Sequence, residues 1–323
     1  MTGKDIRIIY MGTPDFAVDP LRELVENGYN VVAVITTPDK PSGRGLKVNE
    51  SAVKKYAVSA GLPVLQPEKL RDPDFLRELQ SHNADLFIVV AFRMLPEAVW
   101  GMPRLGTFNL HASLLPQYRG AAPINWALIN GEKESGVTTF FLNSKMDEGA
   151  IIGQKKVAVL PEDNAGTLHD KLMVSGTGLV RETVDRIAAG NIEPQTQDEF
   201  DFANLKPAPK IFKDTCHLDF SMPGDKIVNL VRGLSPYPAA WSEIVSDLEN
   251  NPPLQLKIFS AGFIANKSSS KPGTIDSDGR SYIDVACSGG RIRLGEIQPA
   301  GKRRMTVREF LNGFRDITDY RFS

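Results

Sequence analysis

The chain has 323 residues, 41% hydrophobic and 24% charged, with 38 Lys and Arg against 39 Asp and Glu for a net charge of −1. That length suits about two domains with substantial cores, and the composition excludes a disordered or fibrous chain. The balanced total argues against a uniformly basic nucleic-acid binder, although a sum says nothing about how the charges are distributed.

The first half alternates strand and helix signals. Ile6 to Met11 reads as a short strand rather than a signal peptide, since no basic region and long apolar stretch precede it. Pro20 to Glu26 carries Leu21, Leu24 and Val25 at helical spacing, with Gly28 as a stop. Val31 to Ile35 is β-branched, Ser51 caps a helix ending near Gly61, and Phe75, Leu76 and Leu79 mark a third helix. Leu86 to Ala91 is apolar on both faces, as a central parallel strand should be. Leu86 to Phe92, the longest obvious apolar run, is far short of the ~20 residues that span a bilayer. The alternation predicts an α/β fold, a doubly wound and mostly parallel sheet with helices on both faces.

The pattern changes after about residue 190. Asn191 to Lys210 contains Pro194, Pro207 and Pro209 and reads as a linker. Beyond it come short strands at His217–Phe220, Trp241–Val245, Leu254–Phe259, Tyr282–Ala286 and Arg291–Ile297, with a helix-like stretch at Asp225–Gly233. A small C-terminal β-barrel of the OB type is expected. The expected organisation is a catalytic domain over 1–190, a linker over 191–209 and the barrel over 210–323. Nothing suggests a coiled coil or an obligate dimer face, so a monomer is expected.

Cys216 and Cys287 form no CxxC motif, which fits a reducing cytoplasm. His82, His111, His169 and His217 are too scattered for an HExxH site. The adjacent Cys216 and His217 fall short of the about four ligands a zinc site needs, so no metal is expected. Met11 to Phe16 occupies a nucleotide-loop position but lacks GxGxxG, which disfavours a nicotinamide dehydrogenase.

In Gly106 to Pro116, a strand would place Asn109 and His111 on one face and Phe108 and Leu110 on the other. Pro116 and Arg119-Gly120 indicate that the strand is ending, and open α/β sheets bind ligands beyond strand carboxyl ends. A lone strand histidine is more often a satisfied structural residue, but two such polar groups are odd on a buried sheet. Gly136 to Asn143 reads as the next strand, followed by a turn with Asp147 before Gly149. Many turn aspartates are only Asx turns. If this one meets His111, its carboxylate orients the imidazole and favours its charged form, while Asn109 adds a neutral donor for a developing oxyanion. Without an activated Ser or Cys, the trio suits direct attack by an external nucleophile on a carbonyl.

Asn109-x-His111, the run from Ser113-Leu114-Leu115-Pro116 to Tyr118-Arg119-Gly120-Ala121-Ala122-Pro123-Ile124, and Asp147-x-Gly149 resemble the folate-dependent formyltransferases, in particular those acting on methionyl initiator tRNA. Met11 to Ala17, Thr37 to Gly45, Asp163-Asn164-x-x-Thr167-Leu168 and Gln298 to Lys302 extend the resemblance along almost the whole chain. The resemblance implies a Rossmann-like catalytic domain and attack of the methionine amino group on the formyl carbon of 10-formyltetrahydrofolate. It makes Asn109 and His111 stabilisers of the tetrahedral oxyanion and Asp147 the residue that holds His111. It assigns the folate to Phe92, Arg93, Met94 and Leu95 after the central strand, and to Ser113, Leu114, Leu115 and Pro116. Many relatives carry Ala-Tyr-Gly where this chain has Ala91-Phe92-Arg93.

Charge supports a tRNA partner locally. Residues 36–57 hold five basic and two acidic residues, and residues 291–308 hold six basic and one acidic. The first stretch could equally be a solvated basic face, whereas the second, on a candidate barrel of the oligonucleotide-binding type, reads rather as a contact surface. The candidate phosphate contacts are Lys40, Arg44 and Lys47 in the first loop, and Lys210, Lys302, Arg303 and Arg304 in the C-terminal part. Residues 205–323 carry 17 basic and 13 acidic residues, a balance of +4, whereas residues 1–204 carry 21 and 26, a balance of −5. Three rivals remain: a formyltransferase for a ribonucleotide or amino sugar, a formyltetrahydrofolate hydrolase, and a non-enzymatic RNA-binding protein. The last explains the basic segments but not the trio.

Overall fold

The computed structural model describes residues 1–42, 47–197, 204–246, 252–266, 270–314 and 316–323, without the side chains of residues 40–42, 47 and 48. The chain forms two compact units. The first comprises Met1–Gly120, Glu134–Ala158 and His169–Pro207, the second Ala121–Lys133, Val159–Leu168 and Ala208–Ser323.

The first unit opens with β1 (Arg7–Gly12), α1 (Val18–Glu26), β2 (Asn30–Ile35), β3 (Lys40–Ser42), β4 (Lys47–Asn49), α2 (Ala52–Ser59) and β5 (Val64–Leu65). It continues with α3 (Pro73–Ser81), β6 (Leu86–Val90), α4 (Glu97–Trp100) and β7 (Thr107–His111). After α5 (Pro123–Ile129), which belongs to the second unit, come β8 (Glu134–Phe141), β9 (Ile151–Ala158) and α6 (Ala165–Ala189). Local signals set several helix starts. The Ser51 hydroxyl accepts from Lys54 N, and the Asp72 carboxylate accepts from the amides of Asp74 and Phe75 ahead of Pro73.

The seven-stranded sheet has the order β5-β2-β1-β6-β7-β8-β9. The first five strands run parallel, while β8 and β9 are antiparallel to their neighbours. The winding reverses between β1 and β6, the position where open α/β sheets open a crevice. β6 is buried throughout, as its continuous apolar run requires. One face of the sheet carries Ile9, Met11, Phe87 and Val89, packed with Phe75 and Leu79 of α3 and Val99 of α4. On the opposite face, Gly176 of α6 closes on Leu110. A Cβ there would lie 2.8 Å from Leu110 Cδ2.

In the second unit, α7 (Gly224–Leu234) precedes β10 (Ala240–Ser246), β11 (Leu254–Ile258), β12 (Ala261–Ala265), β13 (Ile275–Ser277), β14 (Ile283–Cys287) and β15 (Gly290–Leu294). β16 (Glu296–Pro299), β17 (Met305–Thr306), α8 (Val307–Leu311) and β18 (Tyr320–Phe322) follow. The expected barrel takes the form of two antiparallel sheets, ordered β17-β16-β11-β10-β18 and β12-β15-β14-β13, around one core that includes Ile227, Val231, Ile258, Val285 and Ile297. Two expected strands differ. His217–Phe220 makes only an isolated bridge from His217 to Trp241. Arg291–Ile297 splits at Gly295, where a Cβ would lie 2.4 Å from Ser260 Oγ and the strand passes from one sheet to the other.

Candidate active site

The site is built on the carboxyl end of β7. Val89 of β6 is in register with Asn109, so Asn109 shares the face of Val89, while Leu110 points to α6. Strand alternation puts His111 on the face of Asn109. Phe92, in the loop after β6, packs against the cluster that contains Val89, and so does Leu142 after β8. The loops after β6 and β8 therefore flank this face.

His111 is buried at 6% exposure, and its Nε2 lies 2.8 Å from the Tyr118 carbonyl. A carbonyl only accepts, so Nε2 is the donor in this contact. Nδ1 faces Asp147 Oδ2 at 3.9 Å. That distance is too long for a hydrogen bond, but it makes an ion pair whenever the imidazole is protonated. Asp147 Oδ2 accepts from Gly120 N at 2.9 Å, which ties the carboxylate to the turn after β7. Asn109 is half-buried, and no hydrogen bond holds its side chain among the described residues.

Three of the five non-glycine residues with positive φ among the described residues lie in this site: Ala91 at 47°, Tyr118 at 61° and Asp147 at 55°. Such conformations cost about 1–3 kcal/mol each and persist where surrounding contacts dictate them. At Asp147 the chain must return from the far end of β8, because β8 runs antiparallel to β7. Leu142 N donates to Thr107 O at the start of β7, and the turn then curls back until Asp147 meets His111 near its end. Gly149 permits this closure, since a Cβ there would lie 1.6 Å from Phe141 O.

The residues expected to bind folate divide into two groups. Phe92 packs into the core, Leu95 is buried and Met94 is exposed. Arg93 donates to the carbonyls of Pro67 and Glu68 and stacks over the Phe92 ring, bracing the loop against the segment after β5. In the second group, the Ser113 hydroxyl donates to Gln117 O at 2.6 Å. Leu115 N donates to Thr138 Oγ1, the Leu115 side chain packs on Phe140 and Ile151, and Leu114 reaches Gly136. Ser113, Leu114, Leu115 and Pro116 thus form the turn that carries the Tyr118 carbonyl to His111.

Among the basic residues, Arg44 lies outside the described residues, as do the side chains of Lys40 and Lys47. Lys210 Nζ sits over the Phe212 ring. Arg303 pairs with Glu309 at 2.8 Å, and Arg304 pairs with Glu296 while lying over Phe259. Lys302 is exposed. Sequence reasoning missed Gln197, which is 2% exposed and bonded to the Asp147 turn.

The candidate site is thus an Asn–His pair at a strand end of an open α/β sheet, with an Asp returned to the His by a turn. The formyl transferase model matches residues 4–183, and the formyl transferase C-terminal domain model matches residues 210–315. The chain belongs to the formyl transferase family. It is 59% identical to the methionyl-tRNA formyltransferase of Parabacteroides distasonis over 99% of both chains. It is 53% identical to the methionyl-tRNA formyltransferase of Bacteroides thetaiotaomicron over 100% of both. The fold is shared with an N-formyltransferase from Helicobacter canadensis, solved with folinic acid and dTDP-3-aminofucose, at a TM-score of 0.62 and 18% identity over 93% of this chain and 100% of that one.

Proposed function

We propose that the chain formylates the amino group of methionine on charged initiator tRNA, with 10-formyltetrahydrofolate as donor. The observation that carries this reading is the approach of Asp147 to His111, which shares a strand face with Asn109, in a chain 59% identical over 99% of its length to a methionyl-tRNA formyltransferase. The amino nitrogen bonds to the formyl carbon, whose oxygen becomes an oxyanion. Asn109 and His111 Nδ1 donate to that oxygen, and Asp147 balances the imidazolium. The carbon–N10 bond then breaks, N10 takes a proton, the new amide nitrogen loses one, and tetrahydrofolate leaves. The backbone from Phe92 to Leu95 would hold the pterin, on a loop fixed by the Arg93 brace.

Residues 1–190 supply this chemistry, 191–209 connect, and 210–323 contact tRNA. Lys40, Arg44, Lys47, Lys210, Lys302, Arg303 and Arg304 are the proposed phosphate contacts. The protein acts as a monomer in the cytoplasm. Two free, buried thiols, Cys216 and Cys287, support a reducing compartment, and among the described residues no helix is long and apolar enough to cross a membrane.

The test is formyl transfer from 10-formyltetrahydrofolate to charged initiator tRNA, with uncharged and elongator tRNAs and an acceptor-free reaction as controls. His111→Ala and Asp147→Ala should each lower kcat by roughly 10²–10⁴-fold. Their tRNA affinity should stay within about twofold of the parent, because neither residue is assigned to phosphate. Near-normal formylation by either variant would sink the mechanism, and formate release without an acceptor would identify a hydrolase instead.

A further inference from the structure

We propose that Gln197 is a positioning residue for this reaction, holding the Asp147 turn in its catalytic conformation through both ends of its side-chain amide. The inference rests on the assignment of Asp147 above. Gln197 lies in the stretch that reads from sequence as a linker, yet it is almost fully buried. Its Nε2 donates to Asp147 O at 3.0 Å and to Gly149 O at 2.7 Å. Its Oε1 accepts from Arg119 Nε at 3.1 Å and from Arg119 Nη2 at 2.7 Å. Two donors and two acceptor sites are the full capacity of a carboxamide, and all four are used.

These bonds join the two turns on which the site depends. Arg119 and Gly120 follow the Tyr118 carbonyl that holds His111, and the Gly120 amide holds the Asp147 carboxylate. Arg119 Nη1 also lies 3.4 Å from Glu148 Oε1 in the facing turn. Asp147 sits at a positive φ of 55°, a conformation an L-residue leaves readily unless it is constrained. Gln197 bonds the carbonyls of residues 147 and 149, so it pins the turn at Asp147 itself and two residues on. No bond from Gln197 reaches His111 or Asn109 in this network, so its effect passes through the placement of Asp147.

The chemistry selects an amide. The carbonyls of Asp147 and Gly149 require a donor, and the Arg119 guanidinium requires an acceptor. A glutamate would keep the volume and the contact with Arg119 but would place a carboxylate oxygen against two carbonyl oxygens. It therefore separates a residue that positions Asp147 from one that only satisfies Arg119.

The test measures steady-state formylation, melting temperature and the double-mutant cycle with Asp147. Gln197→Ala should lower kcat about 10–100-fold, the scale set by misplacing a catalytic group by about 1 Å, with KM for both substrates within about twofold. Gln197→Glu should lower kcat comparably in protein that melts cooperatively. In an Asp147→Asn background, measured by single turnover, Gln197→Ala should cost less than about twofold more, because the residue it positions is already disabled. Near-parental kcat in Gln197→Glu, or the same fold loss in both Asp147 backgrounds, overturns the proposal. If Gln197→Ala does not fold, Gln197→Glu alone carries the decision. If the parent protein formylates no charged initiator tRNA, the underlying functional reading fails. If the parent is active and the Gln197 variants match it, only the present inference fails.

Discussion

Gly149 shows how narrowly single positions constrain this site. Alanine there would place its Cβ against the Phe141 carbonyl and 3.3 Å from Phe140 Cδ2. Backbone does not yield as a flexible side chain does, so the 147–149 turn must move. Gly149→Ala should destabilise the protein by roughly 2–4 kcal/mol, read as a lower denaturant midpoint. It should also lower kcat more than Gln197→Ala does, because it displaces the carbonyl that Gln197 holds. Wild-type kcat in the folded variant would show that the turn has more room than its geometry implies. At this scale, Asn109 and His111 were legible in sequence because alternation along one strand gave them a common face. Asp147 was legible as a turn residue able to meet His111, but the strained return that brings it there was not. Gln197 and Arg93 were not legible as anchors, since both bond main-chain carbonyls of segments distant in sequence, and carbonyl acceptors leave no residue pattern.

Most elements of the first unit follow from local rules, which is why the helix start at Ser51, the third helix around Phe75, Leu76 and Leu79 and the buried strand Leu86–Val90 agree with the sequence reading. The antiparallel return of β8 does not, because strand direction is decided by packing partners rather than by a strand's own residues. In the second unit the strands are short, and their ends depend on tertiary contacts such as Ser260 against Gly295. The five-residue α8 escaped periodicity analysis, although it carries a Thr306-x-x-Glu309 capping box. The Thr306 amide, with help from Arg303 and the Thr306 hydroxyl, holds the Glu309 carboxyl down at about 2, against 4.5 for a free glutamate. A carboxyl lowered in the folded state stabilises it above the unfolded value, and that contribution disappears as pH falls through the folded value. Glu309→Gln should therefore melt below the parent at pH 6, and the gap should close as pH falls from about 4.5 to about 2. A gap constant over that range would assign the cap's contribution to neutral hydrogen bonding.

Over the whole molecule, the −1 total separates into −5 for residues 1–204 and +4 for residues 205–323, but the fold spends much of that positive charge internally. Arg291 pairs with Asp276, Arg293 with Asp284, Arg303 with Glu309 and Arg304 with Glu296. Three of these four acids lie outside the basic stretch in sequence, so counting charge along residues 291–308 overstates what a phosphate backbone would meet. Arg293 makes two 2.8 Å bonds to an Asp284 that is 5% exposed, a pair whose loss leaves a buried carboxylate without its cation. Lys302 is exposed and has no ion pair among the described residues. The two positions should therefore respond in opposite ways. Arg293→Ala should lower stability by about 1–3 kcal/mol and leave the salt dependence of tRNA use unchanged. Lys302→Ala should leave the melting temperature unchanged, weaken use of charged tRNA and reduce the slope of log affinity against log salt by about 1. Equal slopes for Lys302→Ala and the parent would remove Lys302 from the phosphate contacts. A reduced slope for Arg293→Ala would mean that tRNA draws Arg293 away from Asp284, making the internal pair a competitor for the nucleic acid.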